Sequence, residues 1–226
     1  MLARRVWWFG TLLVVALCWR PGPAGAALYG FTPISFHSGA AATAVAAQLS
    51  LDVTQSGSHV LFTFANDGPV PSTITGTYFD DGTGVLDSLL TPIDGPGVSF
   101  RAGGSPANLP APKVPYHFEA DFWATAKTPA GLGKKGVDNT GEFVTVPFTM
   151  EDGKSFANVL AALGAGLADP TSGTDTLRVG IKVQAIGTAG TSDSFLLAPA
   201  PAPLPGALIL GLLGLGAAGL KMRRLA

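Results

Sequence analysis

Residues 47–64 read Ala47-Gln48-Leu49-Ser50-Leu51-Asp52-Val53-Thr54-Gln55-Ser56-Gly57-Ser58-His59-Val60-Leu61-Phe62-Thr63-Phe64. Ala47, Leu49, Leu51 and Val53 alternate with Gln48, Ser50, Asp52 and Thr54, and Val60, Phe62 and Phe64 alternate with Leu61 and Thr63. A period of two puts every apolar side chain on one face of an extended chain, so each run is a half-buried strand. Asn66-Asp67-Gly68-Pro69 ends the second run, and Ser72 to Phe79, rich in Thr, Ile and Tyr, begins a third. Tyr78-Phe79-Asp80-Asp81-Gly82-Thr83-Gly84 then predicts a strand entering a tight turn, because Asp-Gly suits positive φ, with Val85 to Leu90 returning from it.

The same period continues downstream. Tyr116, Phe118, Ala120 and Phe122 are expected on one face of a strand, with His117, Glu119, Asp121 and Trp123 on the other. Glu142 to Met150 and Thr176 to Ile186 predict two more strands, the latter with Leu177, Val179, Ile181, Val183 and Ala185 facing the core and Arg178, Lys182 and Gln184 opposite. Only Ser155 to Leu167 breaks the pattern: Phe156, Val159, Leu160, Leu163 and Leu167 recur at helical spacing, with Ser155 as the N-cap. The expected body, residues 27–197, is therefore mainly β. It is read as an antiparallel, jelly-roll-like β-sandwich with one short helix across an open end.

The whole chain has 226 residues, 47% hydrophobic and 13% charged, with 30 Gly and 18 Pro. These proportions exclude a coiled coil, an acidic disordered tail and a basic nucleic-acid binder. Much of the apolar excess lies at the two ends. Arg4 and Arg5 precede an apolar run from Val6 to Trp19, then Pro21, Gly22, Pro23 and the small residues Ala24-Gly25-Ala26. That order predicts a secretory signal peptide over residues 1–26, the run being shorter than the roughly 20 residues that a span prefers. Cys18, the only cysteine, falls inside it, so the mature protein would have neither a disulfide nor a thiol nucleophile. Between Ala27 and Pro203 lie 15 acids and 8 bases, a net charge of −7 that disfavours nucleic acid and anionic membrane surfaces as partners.

At the other end, residues 198–205 form a Pro/Ala spacer that runs into Pro203-Leu204-Pro205. Prolines fix φ and lack a donor, so the spacer should be extended and stiff. An uncharged run follows over residues 206–220, and a basic end over 221–226 carries Lys221, Arg223 and Arg224. Fifteen helical residues reach about 22 Å, a marginal transmembrane helix against a hydrocarbon core of about 30 Å. Its cationic end should stay cytoplasmic, leaving the body outside.

This three-part tail resembles a PEP-CTERM protein-sorting signal in its Pro-Leu-Pro variant, Leu204 standing where Glu is usual. The resemblance implies an exosortase, an integral-membrane cysteine transpeptidase, as partner. It also implies an inner-membrane stage with the body in the periplasm, and a final place at the cell surface or among the exopolysaccharide of a Gram-negative bacterium. The phrases Val60-Leu61-Phe62-Thr63-Phe64, Asp94-Gly95-Pro96-Gly97-Val98-Ser99-Phe100, Ser105-Pro106-Ala107-Asn108-Leu109-Pro110 and Leu177-Arg178-Val179-Gly180-Ile181-Lys182-Val183-Gln184 are similar to a body found among such proteins. That body brings no assigned activity.

Chemistry is sparse. His37, His59 and His117 have no metal-ligand spacing, and neither a His-Glu-x-x-His helix nor a Gly-x-Ser-x-Gly elbow occurs, so no enzyme and no cofactor is expected. Asp80 and Asp81, with the loop Asp138-Asn139-Thr140-Gly141-Glu142, are the candidates for weak calcium binding, against the alternative of two turns with ordinary Asx chemistry. Glu119 and Asp121, two apart on one strand, would sit roughly 6–7 Å from each other, within the range of a glycosidase pair, although alternating acids are also the usual decoration of a solvent face. Trp123 beside them is the one specific ligand hypothesis, a flat ring for stacking a sugar. The competing expectation has it turn into the core.

Overall fold

A computed structural model describes residues 27–110, 115–127 and 135–200. The expected signal peptide, sorting motif (Pro203, Leu204, Pro205), membrane helix and basic end (Lys221, Arg223, Arg224) lie outside the described residues. Within them, no helix is long and apolar enough to cross a membrane.

In chain order the elements are β1 (Ala27–Pro33), α1 (Ala40–Ala46), β2 (Leu49–Ser56), β3 (His59–Asn66), β4 (Thr73–Asp81), β5 (Leu86–Leu89), β6 (Ile93–Asp94), β7 (Phe100–Ala102), β8 (Phe122–Ala126), β9 (Phe143–Met150), α2 (Phe156–Ala168), β10 (Leu177–Ile186) and β11 (Thr191–Pro199). The strands form one antiparallel sheet ordered β5-β9-β3-β2-β1-β11-β10-β4-β8-β7, with β6 also on β9. It curls until its two halves face each other. Phe62 of β3 and Phe148 of β9 meet Phe79 of β4 edge-to-face, with centroids 5.0 and 4.7 Å apart, and Phe122 of β8 meets Phe148 at 5.3 Å. Such tilted aromatic pairs add stabilisation beyond their buried area. The edges nearly join, because the Phe100 N–H of β7 donates to the Asp94 carboxylate of β6 at 2.8 Å; nearby, residues 135–137 tie Ile74 of β4 to Ser99.

β2 and β3 pair in an unbroken register from Leu49↔Asn66 to Ser56↔His59, with Leu51, Val53, Val60, Phe62 and Phe64 buried, as the period of two requires. α2 begins after Ser155, whose N–H donates to Asn158 Oδ1 at 2.9 Å in a capping box. Its Gly166 rides directly on β10: a Cβ there would lie 2.5 Å from the Leu177 carbonyl oxygen.

Five expectations need correction. First, a second helix, α1, occupies Ala40–Ala46 and packs Ala42 and Val45 into the core. Seven residues of alanine-rich chain carry no amphipathic signal, although alanine is the best helix former. Second, Val85 to Leu90 does not return along β4; β5 crosses to β9 because the Asp81 carboxylate folds the turn inward. Third, residues 115–121 are not strand. β8 starts at Phe122, after a loop in which His117 has φ 35°. Fourth, a bulge after Val183 gives Ala185 a φ of 55° and buries Ile186 in its place. Fifth, β11 extends beyond residue 197: Ala198 pairs with Gly30 and Pro199 with Tyr29, so the spacer's first two residues belong to the sheet.

Candidate functional site

The predicted acidic sites are taken up by the fold itself. Asp80 and Asp81 are neighbours on β4 and point to opposite faces. Asp81 accepts hydrogen bonds from the Thr83 hydroxyl (2.7 Å) and from the N–H groups of Val85 (3.2 Å) and Leu86 (2.7 Å), which fixes the turn. Asp80 accepts from the Glu119 N–H at 3.0 Å and forms a buried ion pair with Arg178. The Arg178 guanidinium also donates to the carbonyls of Tyr116 (2.5 Å), Pro170 (3.0 Å) and His117 (3.2 Å) and stacks over Phe118. Burial pushes the Asp80 carboxyl above its ordinary value, and the Glu119 N–H and Arg178 pull against that rise. This cluster is a clamp that pins the 115–121 loop and the chain after α2 onto the outer face of the sheet.

The loop proposed to share calcium with Asp80 and Asp81 sits beside Thr73, at the opposite end of β4. Seven residues of strand separate the two by about 23 Å. Glu142 turns back onto its own loop, accepting from the N–H groups of Asp138 (2.9 Å) and Asn139 (3.2 Å). Calcium needs six to eight oxygens at one point. Among the described residues no group of three or more His, Cys, Asp or Glu side chains converges to supply them.

Nor do Glu119, Asp121 and Trp123 form a common face. Asp121 accepts from the Asp81 N–H at 2.7 Å, and Glu119 enters the clamp through its backbone. Trp123 lies opposite Tyr78 in the β4–β8 register. It is half-buried in a second apolar cluster with Tyr78, Leu109, Phe118, Leu196 and Ile34, and its Nε1–H donates to the Gly104 carbonyl at 3.1 Å. Its ring serves to cover the outer sheet face.

That cover stops halfway. Beyond it, on the same outer face, a groove of about 510 Å³ lies open, lined by Thr75 and Tyr78 of β4, Arg101 of β7, Thr125 of β8, the following Lys127, and Lys182 and Gln184 of β10, with Ser105 and Pro106 at one wall. The registers set Arg101, Thr125, Gly76 and Lys182 side by side in one row across four strands. Three inter-strand spacings make that row about 14 Å wide, with a cation at each end. Gly76 forms the floor: a Cβ there would come within 2.7 Å of the Tyr78 hydroxyl. Burial pushes the Tyr78 phenol far above its ordinary pKa, so it is a neutral donor, directed at the Pro106 carbonyl (3.4 Å).

Arg101 and Lys127 are exposed and Lys182 half-buried, and no carboxylate lines the groove. Ion pairs among the described residues join only His37 to Asp193 and Arg178 to Asp80, so the three groove cations are unpaired. Three of the body's eight bases thus gather at one concavity of a domain whose net charge is −7. Of the lining, the strand alternation had marked only Lys182 and Gln184 as outward-facing. The remainder comes from other strands, Thr75 lying 107 residues before Lys182, and no local motif joins them. A second void, beneath α2 and lined by Leu163, Gly166 and Leu167, is about 10 Å³, at most one water.

No protein-family model, no curated protein and no solved structure matches this chain.

Proposed function

We propose that the protein is an exported structural component of the surface of a Gram-negative bacterium. Its body is a jelly-roll-like β-sandwich, and its C-terminal tail is a PEP-CTERM-like sorting signal read by an exosortase. On this reading residues 1–26 direct export and residues 206–220 hold the body transiently at the inner membrane. Processing near Pro203-Leu204-Pro205 then passes the body to the cell surface or the exopolysaccharide.

The observation that supports this most directly is the pairing of the first and last strands. β1 and β11 are antiparallel neighbours with Tyr29 opposite Pro199. The chain therefore enters β1 and leaves β11 at the same end of the body. With both ends on one side of the body, leader and tail can engage the same membrane without the folded body lying between them.

Intact-mass spectrometry of the protein from its host's envelope and medium tests the proposal. A mass that begins at Ala27 and ends near Pro203, with or without an added group, is expected. A mass running to Ala226 in membrane-held protein refutes sorting and leaves a permanent anchor.

A further inference from the structure

We propose that the groove between Arg101 and Lys182 binds an acidic oligosaccharide, one bearing carboxylate or sulfate groups on a polyhydroxylated chain. This stands independently of how the tail is processed. Three lines converge on that ligand class.

The first is charge. Among the described residues Arg101, Lys127 and Lys182 have no ion-pair partner and no carboxylate lines the groove, although the body around it is acidic. Cations that merely decorate a surface would be interspersed with the more numerous acids.

The second is hydrogen-bonding chemistry. Between the cations lie the hydroxyls of Thr75 and Thr125 and the amide of Gln184. Thr75 donates to the Lys182 carbonyl (3.3 Å) and Thr125 to that of Gly103 (2.9 Å), so each hydroxyl oxygen still offers lone pairs to a donor from above. Gln184 has both donor and acceptor to offer. Fixed acceptors between cations suit a ligand with many hydroxyl donors and spaced negative charges. A bare phosphate would leave the acceptors unused.

The third is shape and position. A volume of about 510 Å³ is within the range of small-ligand sites, and the trough is open rather than enclosed, as a segment of a longer chain requires. Gly180 pairs with Leu196 and Lys182 with Ser194, so the groove lies about five residues, or about 17 Å, along the sheet from the end where β11 leaves at Pro199. That separation along the sheet from the β11 exit leaves room for a ligand while the body is tethered. Nucleic acid is the less suitable polyanion: its dense charge would meet the −7 body, and the nearest aromatic faces, Tyr78 and Trp123, are buried or covered.

The test uses the full chain in nonionic detergent at 0.15 M salt, titrated calorimetrically with tetragalacturonate and with neutral maltotetraose. Tetragalacturonate should bind at least tenfold more tightly. An exposed charge contact is worth about a two- to fivefold change, so R101Q/K127Q/K182Q should weaken binding on the order of thirtyfold. Among the described residues these side chains make no hydrogen bond or ion pair, and their mutual repulsion is relieved by the substitutions, so the melting temperature should not fall. If the triple variant melts early, Lys127→Gln alone carries the test, with an expected loss of about threefold. Equal affinity for the two tetrasaccharides overturns the proposal, as does undiminished binding by the variants. Displacement by inorganic phosphate at the same concentration as tetragalacturonate would reduce the groove to a simple anion site, and tighter binding of single-stranded DNA would assign it to another polymer. Either result refutes the saccharide.

Discussion

Arg178→Met should be the most damaging single change on the outer face, and its cost can be worked through group by group. The substitution keeps an unbranched stem and removes the guanidinium. Asp80, 5% exposed, then retains one donor, the Glu119 N–H, and the carbonyls of Tyr116, His117 and Pro170 lose theirs. Stranding one partner of a buried ion pair costs about 3–5 kcal/mol. For a body of this size each kcal/mol moves the melting temperature by about 2–4 °C, so a fall of about 6–20 °C is expected. Asp80→Asn should cost less, because Arg178 keeps three carbonyl acceptors and the Phe118 ring.

The pH dependence identifies the mechanism. Burial already pushes the Asp80 carboxyl up, and without Arg178 it must rise further. A carboxyl whose folded pKa exceeds its unfolded value of about 3.9 stabilises the fold when protonated and loses that contribution as pH rises through the folded pKa. The deficit of Arg178→Met relative to the parent should therefore shrink as pH falls from 7 towards 4. Urea unfolding of residues 27–200 across that range measures it, and hydrogen exchange at Glu119 and Asp121 reports release of the loop. A deficit below about 1 kcal/mol, or one that does not change on acidification, would mean that water reaches the pair and would falsify the clamp.

Two other changes test separate parts of the fold. Gly166→Ala places a Cβ 2.5 Å from the Leu177 carbonyl oxygen, so α2 must lift from β10; a loss of about 1–3 kcal/mol in urea unfolding is expected, and a neutral result would show that the helix floats. Asp193→Asn addresses the acid limb. Burial alone would raise the Asp193 carboxyl, but hydrogen bonds from Ser38, Ser35 and the His37 N–H overcome it and hold the group below the ordinary carboxylate range. That stabilisation is present above about pH 3.9 and is lost as pH falls through the lowered folded value. The parent's advantage over Asp193→Asn should thus shrink as pH falls below about 4 in unfolding titrations. An advantage undiminished at pH 2 would show that the carboxylate charge is not what the loop before α1 depends on.

Legibility from sequence followed how local the determining interaction is. β2, β3 and β9 were readable because one face meets the core and the other meets water, and α2 because five apolar residues share a stripe above a Ser155 cap. Arg178 misled for the same reason that it matters. It alternates correctly with Leu177 and Val179, but its face is covered by Tyr116 and Phe118, so an outward position became a buried one. The Asp80-Asp81-Gly82 turn misled because the Asp81 side chain substitutes for the expected hairpin partner. Glu119 and Asp121 were assigned to a strand by a pattern of two that the loop imitates without pairing. For the groove no pattern existed to read, since Arg101, Thr125, Gly76 and Lys182 are brought into line only by three separate strand registers.

The two halves of the outer face bear on function through their contrast. Toward the end where the tail leaves, Tyr116, Phe118, Leu109 and Trp123 cover the sheet, and the Asp80–Arg178 pair locks that cover in place. Toward the far end the same four strands are left bare, although Thr75 and Thr125 are themselves buried and Gly76 offers no side chain to fill the trough. A sheet face selected only for stability would be expected to extend the apolar cover or to mix acids among the bases, because unpaired like charges across adjacent strands repel. Holding Arg101, Lys127 and Lys182 around a concave polar floor costs stability, and an anionic ligand would recover that cost on binding. The clamp and the groove then form one device: the ion pair fixes where the cover ends, and the end of the cover defines the wall against which a ligand lies.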